Sequence, residues 1–213
     1  MGPRIFRYVV RYDGGSAPRP YGGVCTLAIC KPRIRATAMV GDWTVGFRSG
    51  RWNEVIYVMQ VAELLPLGTY WQDPRFYKRR PDGGSPIPDN IYRPRGNQDL
   101  EWVPNEVHDR HAQQTDTSGR NTLVGEVFWY FGDTSPLIAQ DLRHLVPYPR
   151  GYTVNKYRRS DDIEKLISWL SAWPQGIHGV PVDASAALKT WLRTGETSMP
   201  DEPAPPAARC GHC

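Results

Sequence analysis

Near the start of the chain, apolar positions recur with a period of two. In Ile5–Tyr12 the set Ile5, Arg7, Val9 and Arg11 alternates with Phe6, Tyr8, Val10 and Tyr12. This predicts a strand, and apolar residues in both sets make it a central one. Asp13-Gly14-Gly15-Ser16 ends it, and Ala17-Pro18-Arg19-Pro20 reads as a stiff extended segment. Cys25–Ile29 is a short apolar run, strand-like and buried. Over Lys31–Ala38 the period changes, with Ile34, Ala38 and Met39 as an inward stripe, Pro32 in the first turn of a short helix, and Arg33 and Arg35 reaching outward. Gly41-Asp42 is a turn. Trp43–Phe47 and a long Glu54–Leu64 strand then pair as a hairpin.

Between Pro66 and Arg120 the pattern weakens to a helical turn within Thr69–Arg80, a Gly/Pro loop, and short strands at Ile91-Tyr92 and Glu101–Val103. His108–Arg120 is polar without a period, and a span of this length without regular structure often carries function. Asn121–Phe131 returns as a strand, with a bulge expected at Gly125. A helix is expected over Pro136–Val146. Asp161–Trp173 is the clearest helix, capped by Ser160, with Ile163, Leu166, Ile167 and Leu170 on one face. Ala184–Thr194 is a further one. Strands first, with helices inserted and then appended, predict an α+β fold built on a small curved or barrel-like mixed sheet. A single domain is expected over 1–195, followed by a disordered, Pro-rich tail over 196–213.

Composition narrows the function classes. No run approaches the ~18 apolar residues of a membrane span. The start has a charge inside its apolar run and no cleavage site, so a cytoplasmic protein is expected. The net charge of +4 permits a polyanionic partner without demanding one. Arg and Lys gather at 31–35, 75–80, 93–95 and 156–159, among 8 Trp and 11 Tyr. Cations attract phosphates and flat rings stack on bases, so DNA or a nucleotide is the expected partner.

Candidate chemistry follows from residue types and spacing. Lys31 and Arg35 flank a helix start and could cradle a phosphate. Asp42 could cap local amides or accept from a ligand, and Trp43 could stack on a base or pack in the core. Cys25 is a candidate nucleophile with His108 or His111 as base, set against a buried structural thiol. Asp13 is a turn former or a carboxylate on the rim of a site. Four cysteines are too sparse for a disulfide framework. The zinc-like spacing Cys210-Gly-His-Cys213 occurs only in the tail and lacks a companion pair, so no metal site is expected and any cofactor is left open. The chain has no phosphate loop of the Gly-Lys-Ser/Thr type, no dinucleotide fingerprint and no nucleophile elbow.

Several stretches in order carry a resemblance. They are Arg11-Tyr12-Asp13, Ala17–Tyr21, Gly23–Ala28, Cys30-Lys31-Pro32, Ile34-Arg35 and Gly41-Asp42-Trp43. Tyr70-Trp71, Asp73–Phe76, Asp89–Tyr92, a His within 108–111 and Phe128–Gly132 follow. Over roughly residues 5–180 the chain resembles a nucleotide modification associated domain, the second of the families given that name. That resemblance implies a role near modified nucleotides in phage or bacterial DNA-modification systems, without supplying a reaction. Arg19 stands where a small polar residue such as Asn is expected, and 124–126 is less regular than the family pattern. A second resemblance, in pattern alone, is to PUA-like barrels of the EVE and ASCH kind. Two readings follow. In the first, a cleft beside the barrel holds a modified or flipped base, with Tyr21 or Trp43 stacking, Asp13 or Thr26 bonding the base and Lys31 and Arg35 on the phosphate. In the second, Cys25, His111, Asp13 and Asp42 serve an enzyme acting on a nucleotide or a base in DNA. Docking onto a DNA-modifying enzyme is a third role.

Overall fold

The computed structural model describes residues 2–96, 99–147, 152–154 and 161–194. The expected tail, the Cys210–Cys213 motif, the 156–159 cluster and Ser160 lie outside the described residues. The fold is α+β. A six-stranded mixed sheet has the order β10-β1-β3-β4-β9-β11, formed by β1 (Ile5–Val10), β3 (Trp43–Arg48), β4 (Val55–Gln60), β9 (Phe128–Tyr130), β10 (Tyr152–Val154) and β11 (Gly176–Ile177). A second sheet, β2-β8-β5, is formed by β2 (Cys25–Leu27), β5 (Glu63–Pro66) and β8 (Asn121–Gly125), and β6 (Tyr92–Arg95) pairs with β7 (Asp99–Trp102) as a hairpin. Among the described residues the sheets do not close into a barrel, which corrects the barrel-like expectation.

The correction has one physical source. The expected Glu54–Leu64 strand is two strands, β4 and β5, in different sheets, and the expected Asn121–Phe131 strand is likewise β8 and β9. Both chains leave one sheet for the other at the same place. Ala62 N–H donates to Val124 O at 2.8 Å and Gln60 N–H to Val127 O at 2.9 Å. Gly125 permits the crossing, because a Cβ there would lie 2.2 Å from Met59 Cγ and 2.6 Å from Gln60 O. It marks a passage between layers rather than a bulge.

The six-stranded sheet is buried on both faces. Phe6, Tyr8, Tyr57 and Met59 join Cys25, Leu27 and Ile34 in one core. Ile5, Trp43, Val45 and Phe47 join Leu166 and Leu170 of α4 (Asp162–Leu170) in another. Each of these fully buried large side chains contributes about 1.5–3 kcal/mol relative to exposure. Ile167, expected on the inner face of α4, is 46% exposed, and Met39, expected on the inward stripe that follows Lys31, is 64% exposed. The expected Pro136–Val146 helix is a 3₁₀ segment, Gln140–Leu145. The short α1 (Pro32–Thr37) follows β2, and α2 (Leu67–Gln72) leads into a 3₁₀ segment, Pro74–Arg79. The polar 108–120 stretch forms a 3₁₀ turn, Arg110–Ala112, and α3 (Gln113–Thr117). The last helix is α5 (Ala186–Thr194). No helix among the described residues is long and apolar enough to cross a membrane.

Candidate functional site

Asp116, on α3 and fully buried, is the centre of a polar cluster drawn from four elements. Its Oδ1 accepts the Cys30 amide at 2.8 Å, and its Oδ2 accepts the Tyr92 hydroxyl at 2.8 Å. His108 Nδ1 faces the same Oδ2 at 2.8 Å, and His108 Nε2 lies 3.5 Å from Cys30 Sγ. With the ring proton on Nδ1, toward the carboxylate, Nε2 is left to accept. Arg35 closes the cluster. Its Nε donates to Cys30 O at 2.7 Å, Nη1 to Asn121 O at 2.9 Å and Nη2 to Asp116 O. Cys30 and Lys31 both have left-handed backbones, at φ 57° and 46°, and neither is a glycine. Each such residue costs of order 1–3 kcal/mol and persists only where its surroundings dictate it. Here the amide and carbonyl of Cys30 are held by Asp116 and Arg35.

Beside this cluster lies an open, groove-like cavity of about 880 Å³, walled by the β6–β7 hairpin and the start of α3. Trp102 supplies a ring, Arg95 and Arg110 supply cations, and Asp99, Glu101 and Gln113 complete the polar lining. Glu101 is paired with Arg93 on the neighbouring strand. Arg95 and Arg110 are exposed. Trp102 Nε1 donates to His108 O at 2.9 Å, and Gln113 Nε2 to Leu100 O at 2.6 Å. Gln113 and Asp116 are three residues apart on α3, so cavity wall and polar cluster share one helical turn.

The expected site residues are dispersed. Arg35, expected to reach outward, is 0% exposed, its charge spent on backbone carbonyls. Lys31 is partly exposed, with Nζ 5.0 Å from the Tyr8 ring centroid. Trp43 is buried among Ile5, Phe47 and the α4 leucines, on the sheet face opposite to Tyr8 and Lys31. Asp42 takes Arg4 Nη2 at 2.6 Å and the Met39 amide at 2.8 Å, as a turn former does. Among the described residues the basic helix and the tryptophan turn therefore lie on opposite faces of the sheet.

Cys25 lies sealed in the core beside Gly125, and burial pushes its thiol pKa far up. His111 is exposed on the Arg110–Ala112 3₁₀ turn, and the inward histidine is His108. Thr26 is buried, donating to Asp89 and accepting from Arg79 Nη1 at 2.6 Å. Tyr70 also donates to Asp89, at 3.0 Å, and Arg19 and Arg79 lie 3.9 and 3.8 Å from it. Arg19, the departure from the family pattern, thus pairs internally. Asp13, Tyr21 and Cys25 gather around Tyr130. Tyr130 donates to both oxygens of Asp13 at 2.8 Å, and the Tyr21 and Tyr130 rings meet edge to face at 6.4 Å. Burial raises the Asp13 pKa to about 6. Among the described residues no group of His, Cys, Asp and Glu is placed to hold a metal.

Sequence reasoning missed Cys30, Asp116 and Trp102 as site residues. One signal was present. Lys31 precedes a proline, which disfavours the right-handed helical region for it and marks the residue as a break between β2 and α1.

The family model for nucleotide modification associated domain 2 matches residues 2–188. No curated protein and no solved structure matches the chain.

Proposed function

Since this chain belongs to the nucleotide modification associated domain 2 family, we propose that it holds a nucleotide, free or within a single strand, in the cavity beside the β6–β7 hairpin. The observation that carries this reading is the pairing of a pinned indole, Trp102, with two exposed guanidinium groups, Arg95 and Arg110, around about 880 Å³. That volume falls in the range of small-molecule sites. A base can stack on the indole, and guanidinium groups suit phosphate oxygens. Arg95 and Arg110 take the phosphate role expected of Lys31 and Arg35. Trp102 takes the stacking role expected of Tyr21 or Trp43. The cleft lies beside a hairpin, not a barrel.

The test is fluorescence anisotropy with a labelled single-stranded DNA and a labelled nucleotide across a salt series. Arg95→Ala with Arg110→Ala is expected to weaken oligonucleotide binding about tenfold or more and to lower the salt slope by about one per arginine. An unchanged slope would overturn the phosphate assignment.

A further inference from the structure

We infer that Cys30 and His108 form a catalytic thiol site, with Asp116 as its positioning residue, and that its substrates are pyrimidine nucleotides. The substrate half of this inference rests on the nucleotide reading above; the thiol half does not.

Three observations separate Cys30 from a structural thiol. Its sulfur faces a histidine nitrogen at 3.5 Å, and the far side of that ring faces a carboxylate at 2.8 Å. This is the order in which a base takes a thiol proton while a third group fixes its tautomer. The backbone under the sulfur is strained over two consecutive residues and is clamped by Asp116 and Arg35. Cys25, in a regular strand of the same sheet region, has neither feature. Finally, Cys30 is 9% exposed and Cys25 0%, so Cys30 lies nearer the surface of the core than Cys25.

The substrate class follows from what a thiolate can attack on a nucleotide. Pyrimidines present an electrophilic carbon, C6, conjugated to the group at C4, whose thiolate adduct turns over with water alone, whereas an adduct at a purine carbon goes forward only with a leaving group or an oxidant. Acyl transfer would draw on the nucleophile's own amide to hold the oxyanion, but the Cys30 amide donates to Asp116. The step balances without a further reactant. The Cys30 proton passes to His108 Nε2 and an Sγ–C6 bond forms. The C5=C6 electron pair shifts toward C5, which takes a proton from water. Reversal removes a hydrogen from C5, restores the double bond, breaks Sγ–C6 and returns the His108 proton to sulfur. The net change is exchange of the C5 hydrogen with solvent.

The thiol half is tested on the full chain without any nucleotide, by peptide-resolved alkylation with iodoacetamide from pH 5 to 9. Cys30 is expected to reach half its maximal rate well below the ~8.5 of an ordinary thiol, with Cys25 unreacted. His108→Gln is expected to slow Cys30 at pH 6 by about a hundredfold, the lower end of the range for a general base. A wild-type Cys30 profile that tracks glutathione, or no Cys30 reaction in the folded chain, overturns the thiol site whatever the variant does. The substrate half is tested with C5-deuterated deoxycytidine and deoxyuridine monophosphates. Deuterium loss with the wild type, abolished by Cys30→Ser, is expected. A shifted alkylation profile without deuterium loss overturns the pyrimidine assignment alone. A shifted profile with no nucleotide binding by anisotropy overturns the nucleotide reading and leaves the thiol site standing.

Discussion

The indole N–H of Trp102 donates to the main-chain carbonyl of His108 at 2.9 Å. The ring that walls the cavity and the imidazole that faces Cys30 are thereby fixed to one another. Trp102→Phe keeps an aromatic wall and removes the donor. It leaves a partly buried carbonyl unpaired, at a cost of about 1–3 kcal/mol. Nucleotide affinity is expected to change less than threefold, while the Cys30 alkylation profile moves up toward that of an ordinary thiol. Trp102→Ala is expected to lower both. Anisotropy and peptide-resolved alkylation on the same preparations check the split. An unmoved Cys30 profile in Trp102→Phe would show that the bond does not position His108.

Asp13 carries a pH prediction with a definite sign. Burial raises its folded pKa from 3.8 to about 6. Between those values the folded state binds more protons than the unfolded state, so this group's contribution to stability falls as pH rises through the window. Two units amount to about 2–3 kcal/mol. Asp13→Asn escapes this loss while keeping an acceptor for Tyr130 and for the Val182 amide. The stability of Asp13→Asn relative to wild type is expected to rise by about 2 kcal/mol between pH 4 and pH 7. Urea midpoints at the two pH values measure it, and parallel pH dependence of the two proteins would refute it.

Arg35 is a buried fastener. Arg35→Ala strips partners from the carbonyls of Cys30, Asn121 and Asp116, and is expected to destabilise by about 3–5 kcal/mol. Arg35→Lys is expected to recover less than half, because one ammonium cannot reach three diverging carbonyls as a planar fork does. Gly119 offers an independent approach to the same guanidinium. A Cβ there would lie 2.6 Å from Arg35 Cζ, so Gly119→Ala is expected to cost about 1–3 kcal/mol by overpacking. Thermal or urea unfolding gives both values. A near-neutral Arg35→Ala would mean that the carbonyls find water.

The α+β class and the individual runs were legible because periodicity reports local burial. Ile5–Tyr12, Lys31–Ala38 and Trp43–Phe47 all fall on elements of the expected kind. The division into separate sheets was not legible, because a run such as Glu54–Leu64 has the same alternation whether its strand continues or passes into another sheet. Only the close approach at Gly125 distinguishes the two, and that is a tertiary contact. The site failed for a similar reason. Cys25 and Cys30 look alike in sequence, and their fates differ through Asp116 and His108, residues distant along the chain. Arg35 on a short helix reads as a surface cation until its partners, also remote, are known. Trp43 was offered as core or stack, and the sheet face on which it lies places it in the core.

The central claim, that a nucleotide base sits against Trp102, is tested most directly by photo-crosslinking a 5-iodouracil-containing single strand and mapping the adduct by mass spectrometry. The adduct is expected on Trp102 or its neighbours in the cavity wall, and competition with an unlabelled strand should abolish it. Competable adducts confined to another part of the chain, such as the Tyr12–Tyr21 loop, would contradict the account.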